Sequence, residues 1–207
     1  MKMIKLGITG GIGSGKSFVA RCLTACFSVP VYDTDREAKR LMLEHEGIRS
    51  GLIGLLGQEV YTAAGLNKPL LTDYIFSSLE NAKRVNMIVH PRVKEDFRMW
   101  AFHQEQVGVR LVGVESAILF ESGFDQEVDK VLAVLAPLEL RIDRVMKRDK
   151  VAREQVLERI MAQMSDEERG RLSDFSVENA ETSDINVQLA QILSCLLYTS
   201  PSPRDCS

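Results

Sequence analysis

The chain has 207 residues, 45% of them hydrophobic and 27% charged, with a formal net charge of −3. That length suits one α/β core carrying one or two insertions, and the composition is that of a globular protein, far from a disordered one. So small a charge excludes a global basic field, and no apolar run reaches the ~20 residues of a membrane helix, so neither nucleic acid nor membrane is an expected partner.

Residues 1–5 carry no apolar h-region and no small-residue cleavage site, and a cytoplasmic location is expected. Residues 4–10 form a short apolar run that ends in a glycine-rich turn. Val19, Cys22, Leu23, Cys26 and Phe27 then recur at helical spacing, which predicts strand, loop, helix. Cys22 and Cys26 lack a histidine neighbour in sequence, and core packing explains them better than half a metal site. Pro30-Val31-Tyr32 predicts a second strand, ending at Asp33-Thr34-Asp35 and expected to lie beside the first. Leu41, Met42, Ile48, Leu52, Leu55 and Leu56, and then Leu79, Val85, Ile88, Val89, Val93 and Phe97, predict helices and no strand. Residues 36–105 are therefore expected to be a helical insertion.

Residues 110–115 and 130–136 are almost continuously apolar, as strands buried in a parallel sheet must be. Residues 141–171 read as charged and helical, and residues 175–179 as a last strand. Ile185, Leu189, Ile192, Leu193 and Leu196 line one face of a closing helix. Strands alternating with helices imply an α/β fold, a mostly parallel sheet covered on both faces. Residues 197–207, with prolines at 201 and 203, have no periodicity and are expected to be disordered or foreign to the fold.

One motif carries chemistry on its own. Gly10-Gly11-Ile12-Gly13-Ser14-Gly15-Lys16-Ser17 has glycine, four residues, glycine, lysine and serine, placed between a strand and an amphipathic helix. Glycines let the backbone curl until successive N–H groups face inward at phosphate oxygens, and the following helix adds its unpaired donors and its dipole. Lys16 would reach the β- and γ-phosphates, and Ser17 would complete a Mg²⁺ sphere. The motif specifies nucleoside triphosphate binding without naming a reaction. The guanine-reading pattern Asn-Lys-x-Asp is missing, since Asn67-Lys68 is followed by Pro69. Arg141, Arg144 and Arg148, at i, i+3 and i+7, share one helical face in a basic segment. Converging guanidiniums there would act as a lid that neutralises charge on a phosphoryl group in transit. A P-loop kinase of small molecules fits these parts, with a solvated helix surface as the alternative for the arginines.

With these residues in hand the sequence resembles the dephospho-CoA kinases, P-loop enzymes that phosphorylate the 3′-hydroxyl of dephospho-CoA with ATP. Gly7-Ile8-Thr9-Gly10 running into the loop is similar to that family's opening, and Asp33-Thr34-Asp35 to its Asp-x-Asp. His90-Pro91, Leu119-Phe120-Glu121, Arg144-x-x-x-Arg148-Asp149, Arg159-Ile160-x-x-Gln163 and Ser173-Asp174-x-x-x-x-Asn179 resemble its later motifs, in order, over residues 4–193. Phe18 stands where the family commonly has Thr, and Glu115 and Ala117 where it commonly has Asp and Pro.

The resemblance implies a nucleotide core at 1–35, 106–140 and 172–196, an acceptor domain at 36–105 and a lid at 141–171. It implies ATP on Gly11, Ile12, Gly13, Ser14, Gly15, Lys16, Ser17, Phe18, Arg141 and Asn179, with Mg²⁺ on Ser17 and near Glu115. Asp33, Lys16, Arg144 and Arg148 would be catalytic, and Asp33, His90, Glu121, Arg159 and Gln163 would meet dephospho-CoA. Helix capping competes for the two aspartates: it favours Asp35 as the cap and leaves Asp33 for chemistry. Two readings stay open beside this one. The same scaffold could phosphorylate a nucleoside monophosphate or another small molecule, or the chain could sense nucleotide without turnover.

Overall fold

A computed structural model describes residues 2–198. In chain order its elements are β1 (Ile4–Thr9), α1 (Lys16–Phe27), β2 (Val31–Asp33), α2 (Thr34–Glu44) and α3 (Glu46–Leu56). β3 (Tyr61–Thr62), β4 (Gly65–Leu66), α4 (Lys68–Ser77), α5 (Leu79–Gln106), β5 (Leu111–Glu115) and β6 (Lys130–Leu135) follow. The chain closes with α6 (Leu138–Asp149), α7 (Arg153–Met161), α8 (Asp166–Leu172), β7 (Phe175–Glu178) and α9 (Ile185–Tyr198). Two compact units result: the described residues of Met1–Tyr32 with Val107–Ser207, and Asp33–Gln106.

The first unit holds a five-stranded sheet in the order β2-β5-β1-β6-β7. β1 runs parallel to β5 on one side and to β6 on the other, and β6 parallel to β7. The apolar strands predicted from the sequence are its centre: all five residues of β5 and the last four of β1 are buried. α1 and α9 cover one face, where Val19, Leu23, Ile185, Leu189 and Leu193 pack on Leu6, Ile8, Leu132, Val134 and Val177. One expectation is overturned. β2 lies beside β5, not beside β1, because the chain leaves the sheet after β2 and β5 takes the place next to β1 on its return. Strands adjacent in sequence neighbour each other only about two-thirds of the time. α9 continues to Tyr198, two residues into the stretch expected to fall outside the fold, and residues 199–207 of that stretch lie outside the described residues.

The second unit is built on α5, 28 residues long, which continues through Pro91. Val85, Val89, Val93, Phe97 and Ala101 recur every four residues along it and form the buried stripe that α2, α3 and α4 cover. Arg40 on α2 ties Glu37, Glu44 and Asp96 together, its Nη2 2.8 Å from Asp96 on α5. β3 and β4 pair antiparallel, Tyr61 opposite Leu66. They correct the expectation of a purely helical insertion, and at two residues each they are too short to leave an alternating pattern in the sequence. A second correction concerns the aspartates. α2 begins at Thr34, so Asp33 is its N-cap, and the Asp33 carboxylate accepts the Arg36 N–H at 3.0 Å. Asp35 sits inside the first turn.

Candidate functional site

β1 delivers the chain into the glycine loop, and α1 starts directly after it at Lys16. Gly13 and Gly15 have φ of +79° and +91°, which L side chains resist, so glycine is what lets the loop close. The Ser14 N–H donates back to the Gly11 carbonyl at 3.0 Å, and the Phe18 N–H to Gly15 at 2.9 Å. The remaining donors of the loop and of the first turn of α1 make an anion-binding end. Lys16 and Ser17 meet one carboxylate. Glu115, the last residue of β5, lies with one oxygen 3.3 Å from the Lys16 ammonium and accepts the Ser17 hydroxyl at 2.5 Å. Register puts it there, because Glu115 pairs with Ile8 one residue before β1 ends.

α6 to α8 close over the same loop. Arg141, 4% exposed, donates its Nε to the Ile12 carbonyl at 2.9 Å, and its guanidinium is paired with Asp166. Gln163, between α7 and α8, accepts the Ile12 N–H at 2.8 Å. Arg144 reaches the Gly13 and Ser14 carbonyls, each at 3.4 Å, and the Asn179 carbonyl at 3.1 Å. The Asn179 amide donates to the Ser14 carbonyl at 2.8 Å, from a position just after β7. Asp166 also holds Arg169, which is fully buried. Burial pulls the Arg169 guanidinium below its ordinary pKa, and the charges of Asp166 and Glu121 push back.

Arg148 behaves differently from Arg141 and Arg144 on the same helix. Seven residues along α6 carry it ~10 Å beyond Arg141, past the loop. Its guanidinium makes two bonds to Asp149, at 2.7 and 3.1 Å, and Arg159 reaches the same carboxylate at 3.0 Å. These bonds raise the Arg148 pKa, and Arg148, then Arg159, hold the Asp149 carboxyl below the usual carboxylate range. Asp149 is thus the joint between two site candidates, a role its place beside Arg148 in the sequence hinted at.

A cavity of about 730 Å³ opens beside the loop, lined by Gly15, Phe18, Arg144, Asn179 and residues 180–186. The last stretch escaped the sequence reading. Its signal is the run Glu181-Thr182-Ser183-Asp184, turn-forming residues between a strand and a helix, which marks a loop without marking a site. Glu121 is exposed in the turn that follows β5. The hydroxyls of Thr9 and Ser14, both buried, have no hydrogen-bond partner among the described residues. In the second unit, His90 is half-buried on α5, where burial first and Lys94 second lower its imidazole pKa. Among the described residues no cluster of three or more His, Cys, Asp or Glu side chains forms a ready metal cage.

A family model described as dephospho-CoA kinase matches residues 4–184. A Bacteroides fragilis protein named dephospho-CoA kinase is 46% identical over 193 residues, covering 93% of either chain. A crystal structure from Thermus thermophilus superposes with a TM-score of 0.81 at 34% identity, covering 97% of this chain and all of the other. A Campylobacter jejuni dephospho-CoA kinase structure shares the fold, with a TM-score of 0.68 at 20% identity over 93% of this chain and 96% of that one.

Proposed function

This chain belongs to the dephospho-CoA kinase family, and we propose that it transfers the γ-phosphoryl group of ATP to the 3′-hydroxyl of dephospho-CoA, giving CoA and ADP. The observation that carries the reading is the joint position of Lys16, Ser17 and Glu115 at the mouth of a glycine loop that Arg141 and Arg144 touch from the other side. Phosphoryl transfer through a loose transition state asks for positioning and charge neutralisation, and these groups supply both. In this account the loop N–H groups and Lys16 hold the β- and γ-phosphates. Arg144 moves from the loop carbonyls onto the transferring group, and Phe18 and residues 180–186 flank the base.

The Ser17 hydroxyl and the Glu115 carboxylate fit Mg²⁺, which is commonly held by one or two protein oxygens with the rest from phosphates and water. Bound with the nucleotide, Mg²⁺ would neutralise the charge developing between the β- and γ-phosphates. Asp33 is assigned to orient the acceptor hydroxyl and take its proton late, with His90, Glu121 and Arg159 toward the remainder of dephospho-CoA. A cytoplasmic location goes with that substrate. No helix among the described residues is long and apolar enough to cross a membrane.

An acceptor panel tests the reading. With ATP and Mg²⁺ present, ADP release should depend on dephospho-CoA and stay at background with nucleoside monophosphates or shikimate. ATP bound with no ADP released on any acceptor would leave a nucleotide sensor as the better account.

A further inference from the structure

Ile12 is held at both of its backbone groups by side chains from far along the chain. Its N–H is taken by the Gln163 amide oxygen at 2.8 Å and its carbonyl by Arg141 Nε at 2.9 Å. Its side chain packs on the small apolar cluster of Ile142, Val145 and Val156 that joins α6 to α7. Arg141 is itself fixed by Asp166, whose second oxygen is 2.9 Å from Arg169. All of these partners come from residues 141–169, more than 125 positions away in the chain. A phosphate loop left to itself would curl for its ligand at an entropic cost of ordering. Here one peptide on either face of Ile12 is already bonded, and Ile12 also has an apolar seat.

We propose that Gln163 and the Arg141–Asp166 pair are positioning residues that clamp the backbone around Ile12, so that the lid helices hold the glycine loop in its phosphate-binding shape before nucleotide arrives. The proposal rests on the nucleotide reading of the loop. It assigns Asp166 a role that its sequence, one acidic residue among three at the start of α8, does not reveal. It also makes Gln163 act through the loop and not by touching the acceptor. Arg169 completes the clamp as the second cation on Asp166, with its Nη2 buried and without a partner among the described residues. Asp166 thus carries two guanidiniums, and Glu121 acts on Arg169 as a second negative charge.

Gln163→Met tests this with little risk to the fold, since Gln163 is only half-buried and methionine keeps its length. ATP affinity is measured by calorimetry without acceptor, together with kcat, both KM values and the melting temperature. ATP binding should weaken about 2–12-fold, the span one net hydrogen bond supplies, while KM for dephospho-CoA stays within twofold and melting falls by no more than ~6 °C. Asp166→Asn should weaken ATP binding too. In the double variant the two losses should fall short of their product, because both act on the backbone of one residue, Ile12. Gln163→Met with wild-type ATP affinity, a matching loss for dephospho-CoA, or losses that simply multiply would overturn the clamp. A wild-type chain that bound no ATP would overturn the nucleotide reading beneath it, an outcome seen before any variant is made.

Discussion

Replacing Gly13 by alanine separates two costs that the loop imposes on its backbone. Gly13 has φ +79°, and a Cβ built on it would lie 2.5 Å from the Arg141 carbonyl oxygen and 3.0 Å from the Arg141 Cα. Neither neighbour is a side chain that could rotate away. Gly108 has φ +84° with nothing within 4 Å, so its replacement isolates the backbone term alone. Left-handed backbone costs an L residue ~1–2 kcal/mol, and overpacking adds ~1–3 kcal/mol. Gly108→Ala should therefore lose ~1–2 kcal/mol and Gly13→Ala ~2–5 kcal/mol. At about 2–4 °C per kcal/mol for a chain of this size, melting should fall by ~2–8 °C and ~4–20 °C respectively. Relief of the Gly13 clash must part the loop from α6, so Gly13→Ala should also lose ATP affinity, whereas Gly108→Ala should keep it. Calorimetric melting and an ATP titration on the three proteins decide the matter. Equal melting losses with wild-type ATP affinity in both variants would refute the close approach of α6 to the loop.

Lys16→Ala should melt within a few degrees of wild type and lose turnover, since in this account its charge meets the phosphates; unchanged ATP affinity and a near-normal rate in a steady-state assay would contradict it. Arg144→Ala should lower kcat more than Arg148→Ala does, because Arg144 lies on the loop while Arg148 is taken up by Asp149; equal kinetics would argue against the difference. Asp33→Asn keeps the helix cap, asparagine being as good a cap as aspartate, so melting should hold while kcat falls by ~10²–10⁴. Asp33→Ala should additionally lose ~0.5–2 kcal/mol of stability. His90 has a folded-state pKa below its unfolded value, so the unfolded chain binds the extra proton first as pH drops below about 6.5. Stability should decline from that pH downward until the folded-state pKa is passed, and His90→Gln should flatten the decline; identical pH–melting curves would count against burial of the neutral imidazole.

The parts of the fold legible in the sequence are those written locally. The loop glycines, the continuous apolar runs of β5 and β6, and the stripe Ile185, Leu189, Leu193 each declare themselves within a dozen residues. The place of β2 does not, because it depends on which strand the returning chain sets beside β1. The β3–β4 pair is too short for periodicity, and which aspartate caps α2 depends on a shift of two residues in a helix boundary. The candidate site residues divide in the same way. Lys16, Ser17 and Asn179 could be named from motifs, whereas the bond from Ile12 to Gln163 joins residues 151 apart and Asp166 sits in an ordinary acidic first turn. Arg148 shows the converse, since its spacing promised a third guanidinium on the loop and a neighbouring carboxylate takes it instead.

The central claim is a phosphoryl transfer to one hydroxyl, and the most direct measurement follows that atom. The full chain is incubated with ATP, Mg²⁺ and dephospho-CoA, and the products are read by mass and by phosphorus resonance. The account predicts one CoA formed per ADP, with a new phosphomonoester resonance on the ribose 3′ position and none when Lys16→Ala replaces the wild type. ATP bound but no CoA formed, or phosphate transferred to a nucleoside monophosphate in preference to dephospho-CoA, would contradict it.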